Sequence, residues 1–374
     1  MESMEYKMRK NKFTDIFEDV TKQGTKIPTN LYLKNGLYPI IDQGQSEIAG
    51  YTDQIEGLFT DIPAIIFGDH TRIIKYVDTP CFLGADGVKL LKAKDPTANY
   101  KYLYYALCNA DIPNTGYNRH FKWLKEIEIA ECSIEEQNSI VAQFEKIDTL
   151  ICLRKQQLSK LDELVKSRFI EMFGDIKTGD YKFETRKLGE VAEVGSSHRV
   201  FTTEFVEEGV PFYRGTEIGE LANGLKPENP YRITKEHYDR LSCDETKPKL
   251  GDLLMPSICN KGQVWMVDTD EPFYYKDGRV LCISPNRKLF NCKYLEQFMR
   301  EKTLVEYPKL GSGSTFAEFK IFLLKDIEVL IPPIELQDQF AAFVEQIDKS
   351  KFEIQKSLEK LETLKKALMQ KYFG

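Results

Sequence analysis

Two stretches of the chain place a seam residue three and four positions apart in alternation. The first runs Phe144, Ile147, Ile151, Arg154, Leu158, Leu161, Val165, Arg168, Met172. The second runs Val344, Ile347, Lys351, Ile354, Leu358, Leu361, Lys365, Leu368, Tyr372. Sustained 3–4 spacing predicts two long helices, each with the narrow apolar seam of a coiled coil. The expected pairing residues are Phe144, Ile147, Ile151, Leu158, Leu161 and Val165 with Val344, Ile347, Ile354, Leu358, Leu361 and Leu368. Ser133 is a plausible N-cap with Glu136 at the capping-box position. Pro332 and Pro333 bar helix before Ile334, and Gly174 is placed to end the first helix. Arg154 and Arg168 interrupt the first seam, Lys351 and Lys365 the second. Either their stems lie along the seam with the charges in water, or they fix register between the helices; spacing alone does not choose.

Aligned without a gap, residues 134–174 and 334–374 agree at fourteen of 41 positions, among them Gln137, Asp148, Leu158, Leu161, Phe173 and Gly174. This is duplication. It continues as "KEIEI" (125–129) against "KDIEV" (325–329), "NYKYL" (99–103) against "NCKYL" (291–295), and "ADGVKLL" (85–91) against "KDGRVLC" (276–282). The chain therefore reads as two copies of one plan, each a globular part followed by a helix: 1–133, 134–175, 176–333 and 334–374. About 38 helical residues at ~1.5 Å each make a rod of roughly 57 Å. If the seams pair, the simplest path runs out along one rod and back along the other, antiparallel. That arrangement carries a pseudo-twofold axis, the symmetry that also relates the strands of a DNA duplex.

Within each globular half, β-like runs ("DIPAIIFGD", "RIIKYVD", "GVKLLKA"; "DLLMPSI", "QVWMVD", "RVLCISP") accompany one helical run, "NYKYLYYALCNA" or "NCKYLEQFMREKTL". Asp86-Gly87, Asp277-Gly278 and Asn35-Gly36 mark turns. The expected class is α+β: two α/β domains, each with a mainly antiparallel or mixed sheet, separated by two long antiparallel coiled-coil helices. The pattern does not order the strands.

Composition narrows the function. At 42% hydrophobic residues the chain can build real cores. No apolar run approaches bilayer length and the start is polar and charged, so a cytoplasmic location without membrane contact is expected. Eight cysteines show no CxxC spacing and four histidines no HxxxH pattern. Packing thiols and no metal site are the simplest reading. The net charge of −6 means that any nucleic acid must be held by local patches or shared with partners, because phosphate neutralisation supplies most non-specific affinity. An Asn/Asp-Pro-Pro-aromatic motif, a P-loop and Gly-x-Ser-x-Gly are all missing. "EFK" (318–320) has a carboxylate-x-Lys shape but no Pro-Asp ahead of it. No catalytic residue is assigned.

The candidate contacts to nucleic acid lie in loops. "GYNRHFKWL" sets Tyr117, Asn118, Arg119, His120 and Lys122 among aromatics, a mixture able to reach base edges and phosphates. The matching place in the second half is "GSGSTFAEFK", with Ser312, Ser314, Thr315 and Lys320. Further candidates are Gln43, Gln45, Arg72, Lys75, His198, Arg199, Arg214, Lys261 and Gln263; singly, each reads equally well as an ordinary loop residue.

Together these segments are similar to the specificity subunits of type I restriction–modification enzymes over essentially the full length. The twin helices, "KLGEVAEV…GVPFYRGTEI" opening the second half, and "GYNRHFKWLKE" closing the first carry the resemblance. One departure is "AECSIEEQ", where the second copy has "IPPIELQ". The resemblance implies two target-recognition domains, each reading half of a split DNA sequence, with the helices as a ruler for the gap. It also implies an adaptor that binds no cofactor itself. Two methyltransferase subunits would bring S-adenosylmethionine chemistry at adenine, and restriction subunits would use ATP and Mg. The competing reading is a coiled-coil assembly protein whose globular domains bind protein.

Overall fold

The computed structural model describes residues 9–84, 86–243, 246–310 and 317–374. They form two compact units, one running up to Gln156 and including Gln355–Gly374, the other Gln157–Ile354. The division falls inside the long helices rather than at their ends, because each globular part packs on half of one helix and half of the other.

In unit 1 the strands are β1 (Arg9–Lys12), β2 (Phe17–Asp19), β3 (Tyr38–Ile41), β4 (Gly50–Thr52), β5 (Ala64–Gly68), β6 (Ile74–Val77), β7 (Phe82–Leu83), β8 (Val88–Ala93) and β9 (Glu128–Glu131). An antiparallel sheet has the order β2-β8-β5-β6, a smaller one the order β4-β3-β7, and β1 pairs with β9. Every residue of β5 is buried, which explains its unbroken apolar run. The β5–β6 turn closes through Arg72, at φ +62. Arg72 N–H donates to Gly68 O at 2.7 Å. A helix over Tyr100–Cys108, capped by the Asn99 side chain on Tyr102 N–H, covers the sheet.

Unit 2 contributes β10 (Gly174–Asp175), β11 (Asp180–Tyr181), β12 (Thr185–Lys187), β13 (Ala192–Gly195), β14 (Val210–Tyr213), β15 (Tyr231–Ile233), β16 (Leu253–Pro256), β17 (Trp265–Met266), β18 (Tyr274–Tyr275), β19 (Val280–Pro285) and β20 (Glu328–Leu330). Its sheets run β13-β19-β16-β17 and β15-β14-β18, with β12 on β20 and a β10–β11 hairpin. Apart from that hairpin, strand order repeats unit 1 throughout. Even the parallel pairs correspond: β3 with β7, β14 with β18.

The central helix spans Ile134–Phe173 and the C-terminal helix Ile334–Phe373. The central helix begins with the expected capping box. Ser133 N–H donates to Glu136 Oε2 at 3.0 Å, and Glu136 N–H to Ser133 Oγ at 3.3 Å. In unit 1, Phe144 meets Tyr372 and Phe373, Asp148 accepts from Lys365, and Lys155 lies 3.8 Å from Glu362. Numbers rise on one helix as they fall on the other, so these halves are antiparallel. In unit 2 the order is antiparallel too: Asp162 accepts from Lys351, and Phe169 and Phe173 pack on Phe340. Both seam lysines thus reach aspartates on the facing helix, favouring the register role, whereas Arg168 pairs with Glu171 of its own helix. Of the pairing residues, Phe144, Ile147, Val165, Val344, Ile347 and Leu358 are buried. Ile151, Leu158, Leu161, Ile354, Leu361 and Leu368 are half-buried.

The repeated ending has a packing cause. Phe173 contacts Tyr294 at 4.9 Å in unit 2, and Phe373 contacts Tyr102 at 5.2 Å in unit 1. Tyr102 and Tyr294 are themselves equivalents in the "NYKYL"/"NCKYL" pair, so one socket appears twice. Gly174 turns the chain at φ +100, where a Cβ would lie 2.1 Å from Asp180 O.

Candidate nucleic-acid interface

At one end of the unit 1 sheets, the turns after β3, β5 and β7 meet the loop that follows the 100–108 helix. Asp69, 4% exposed, is the joint. Its carbonyl accepts from His120 N–H at 2.8 Å, its carboxylate from Phe121 N–H at 2.7 Å, and its own N–H donates to Gly87 O at 2.7 Å. Gln43 crosses the same corner. Its amide donates to Asp86 O at 3.1 Å and accepts from His70 N–H at 3.1 Å. His70 Nδ1 lies 3.2 Å from Asn118 O, which fixes the proton on that nitrogen. On this platform Tyr117 stacks on His70, with centroids 4.7 Å apart and planes at 8°, while remaining 89% exposed. An aromatic face supported from behind and open in front can stack on a base or pack against a sugar. Asn118, Arg119 and Lys122 are exposed beside it.

In unit 2 the corresponding joint is Ser257, 1% exposed. Its carbonyl accepts from Phe319 N–H at 2.7 Å and its N–H donates to Arg279 O at 2.9 Å. Glu318 gathers charge above it. Arg279 Nη1 donates to Glu318 Oε2 at 2.6 Å, Lys320 binds the other oxygen, and Ser257 Oγ lies 3.5 Å away. The Lys320 hydrogen bond, helped by the Arg279 charge, holds the Glu318 carboxyl below the usual carboxylate range. Arg199 Nε reaches to 4.0 Å from Asp277. Arg279, Lys320 and Arg199 are thus balanced in part by the carboxylates of Glu318 and Asp277.

A family model described as the type I restriction modification DNA specificity domain matches residues 5–163 and 181–366. The chain belongs to the type I restriction–modification DNA specificity family. It carries two such specificity domains and recognises DNA targets. In fold it is similar to the type I restriction–modification S subunit from M. genitalium, at 17% identity and TM-score 0.57 over 100% of this chain and 98% of that one. It is also similar to a chain from a study of complex assembly and conformational transition in the type I system, at 18% identity and TM-score 0.55 over 98% of this chain and 99% of that one.

Within the specificity domains, several expected contacts prove to be supports. His120 is fully buried, with Nδ1 3.0 Å from Asp69 O. Lys75, 3% exposed, donates to Ser46 O at 2.6 Å. Neither can itself touch a duplex, since each is enclosed by the loop that it braces. Arg72 Nη1 donates to Ile112 O at 3.0 Å, tying the β5–β6 turn to the loop after the 100–108 helix. Gln43 has both ends of its amide engaged, as above. Gln263 accepts from Lys261 N–H at 3.1 Å. Arg214 chelates the buried Glu217 and lies over Tyr231, centroid 4.6 Å away. Burial alone would raise the Glu217 carboxyl, but the Arg214 hydrogen bonds hold it low. Gln45, His198, Arg199, Lys261 and Lys320 are exposed. Ser312, Ser314 and Thr315 lie outside the described residues.

Sequence reasoning reached the segment "DHTRIIK" (69–75) but gave no role to its Asp69 and His70, and it missed Ser257 and Arg279. The strand register moves the expected "ADGVKLL"/"KDGRVLC" match by one residue: Val88 corresponds to Val280, so Arg279 stands opposite Gly87 and not Val88.

Proposed function

We propose that each unit reads one half of a split DNA sequence through the loop end just described, and that the paired helices set the gap. In this reading the chain is the non-catalytic adaptor of a cytoplasmic complex. Two methyltransferase subunits dock on it and bring S-adenosylmethionine chemistry to an adenine in each half-site. Restriction subunits supply ATP- and Mg-dependent cleavage. The domains follow as 1–133 and 176–333 for recognition, with 134–175 and 334–374 as spacers. The observation that carries the reading is the repetition: one strand order, one joint and one loop end, built twice from divergent sequence, as two readers of two different half-sites require.

The test is methylome sequencing of cells that carry this chain with its methyltransferase subunits. A bipartite motif is expected. Removing seven residues from each helix in register should shorten the gap and leave both half-sites intact. An unchanged gap, or a continuous motif, would refute the proposal.

A further inference from the structure

The two joints share two backbone hydrogen bonds, although the Phe121 N–H bond to the Asp69 carboxylate belongs to unit 1 alone. Asp69 N–H binds Gly87 O where Ser257 N–H binds Arg279 O, so Gly87 and Arg279 are equivalent positions. Asp69 O accepts from His120 N–H where Ser257 O accepts from Phe319 N–H, which puts Arg119 and Glu318 on the loop just before each joint bond, although unit 2 has one more residue between that bond and the helix that follows. Unit 1 therefore has glycine at the strand turn and arginine on the loop. Unit 2 has arginine at the strand turn and a carboxylate on the loop. The guanidinium has changed sides of the joint.

Steric and electrostatic reasons hold each arrangement in place. A Cβ at Gly87 would push aside the flexible Gln43 amide, 2.5 Å away, and φ +83 strains any L side chain, so unit 1 favours glycine there. In unit 2, Glu318 is only 18% exposed on its side chain and Arg279 is 56% exposed. The carboxylate sits behind and the guanidinium in front. Glu318 engages Nη1 and so tethers one edge of a guanidinium that stays more than half exposed. A planar, always-charged fork is the group that matches the O6 and N7 acceptors of guanine. Lys320, held by the same carboxylate, is a point charge suited to the neighbouring phosphate.

We propose that Arg279 is a guanine-reading, specificity-determining residue of unit 2, that Glu318 is its positioning residue, and that Arg119 does the corresponding work in unit 1 from the other side of the joint. This rests on the proposed split-site reading. The experiment uses the full complex with its methyltransferase subunits on a library of duplexes randomised across both half-sites, with methylated adenines read by sequencing. Arg279→Lys keeps the charge but loses the fork. It should lower discrimination for guanine by roughly ten- to a hundredfold at a single position of one half-site, leaving the other half-site unchanged. Arg119→Lys should act only on the other half-site. Glu318→Gln should weaken discrimination at the Arg279 position, while Lys320→Ala should slow methylation evenly over all sequences and lower the salt slope by about one.

Three results would overturn the assignment: an Arg279→Lys motif identical to wild type, a uniform loss over all sequences, or both arginine variants acting on the same half-site. If the wild-type complex methylates without two separable half-sites, the split-site reading falls and takes this inference with it. The lysine variants preserve charge and bulk, and their thermal stability, measured alongside, should match wild type.

Discussion

Phe373→Ala tests whether the repeated helix ending is a packing device. A residue in the last turn of a helix ordinarily frays and costs little when trimmed. Here the half-buried ring lies 5.2 Å from Tyr102 and 6.0 Å from Phe144. Half of the burial value of a phenylalanine is about 1–1.5 kcal/mol. Two aromatic pairs add about 0.5–1.5 kcal/mol each. The loss should therefore be about 2–4.5 kcal/mol. Phe173, fully buried among Phe169, Tyr294 and Phe340, should cost more on truncation, about 3–5 kcal/mol. Urea denaturation gives the totals and hydrogen exchange gives the location. Phe373→Ala should accelerate exchange over 100–108 and 134–156, in unit 1. Phe173→Ala should do so over 292–306, in unit 2. A Phe373→Ala cost below about 0.5 kcal/mol, the level of an ordinary surface change, would refute the argument. So would faster exchange confined to unit 2.

Asp148 accepts from both Tyr105 Oη, at 2.9 Å, and Lys365. Asp148→Asn should cost about 1.5–3 kcal/mol for the charged hydrogen bonding. The coupling to Lys365→Met in a double-mutant cycle should stay at about 1 kcal/mol or less, because the pair is a third exposed; a larger value would mean that the pair is tighter than its exposure allows. Burial pushes the Cys81 and Cys259 thiols up to about 11 and Cys282 up to about 12. Unfolded thiols ionise near about 8.5, so above that pH the unfolded state releases protons that the folded state retains. Stability should be fully present below about pH 8.5 and fall progressively towards pH 11–12. Melting temperatures of the Cys81→Ala, Cys259→Ala and Cys282→Ala variants should show a shallower alkaline fall than wild type; equal slopes would count against the buried thiols as its source.

The helices were legible because their physics is local. Periodicity, a capping box and a Pro-Pro stop set both starts, and the structure places them at Ile134 and Ile334. The β-like runs around Ile65, Leu90, Leu254 and Leu281 all became strands of the larger sheets. Strand order was not legible, because pairing joins segments far apart, such as Phe17 with Ala93, and no residue advertises its partner. At the site, residue type misled in a consistent way. His120, Lys75 and Gln43 have the chemistry to touch DNA, but the loops that carry them need that same chemistry to close. A cation or amide in a loop is as often a brace as a reader, and only burial and bonding separate the two.

The seam shows how a duplicated chain keeps its two helices from being interchangeable. At equivalent positions 200 residues apart, Ile151 stands against Lys351, Val165 against Lys365, Arg154 against Ile354 and Arg168 against Leu368. Each pair holds one apolar and one basic residue. In the observed register Lys365 meets Asp148 and Lys351 meets Asp162. Were a central helix to meet another central helix in that register, Asp148 would face Val165 and Asp162 would face Ile151, and both carboxylates, the first a third exposed and the second more than half, would lose their cation. The unlike pairing is thus favoured over that like pairing by the ion pairs, although the leucines shared by both copies pack equally well either way. Divergence at four seam positions was enough to give each helix a preferred partner.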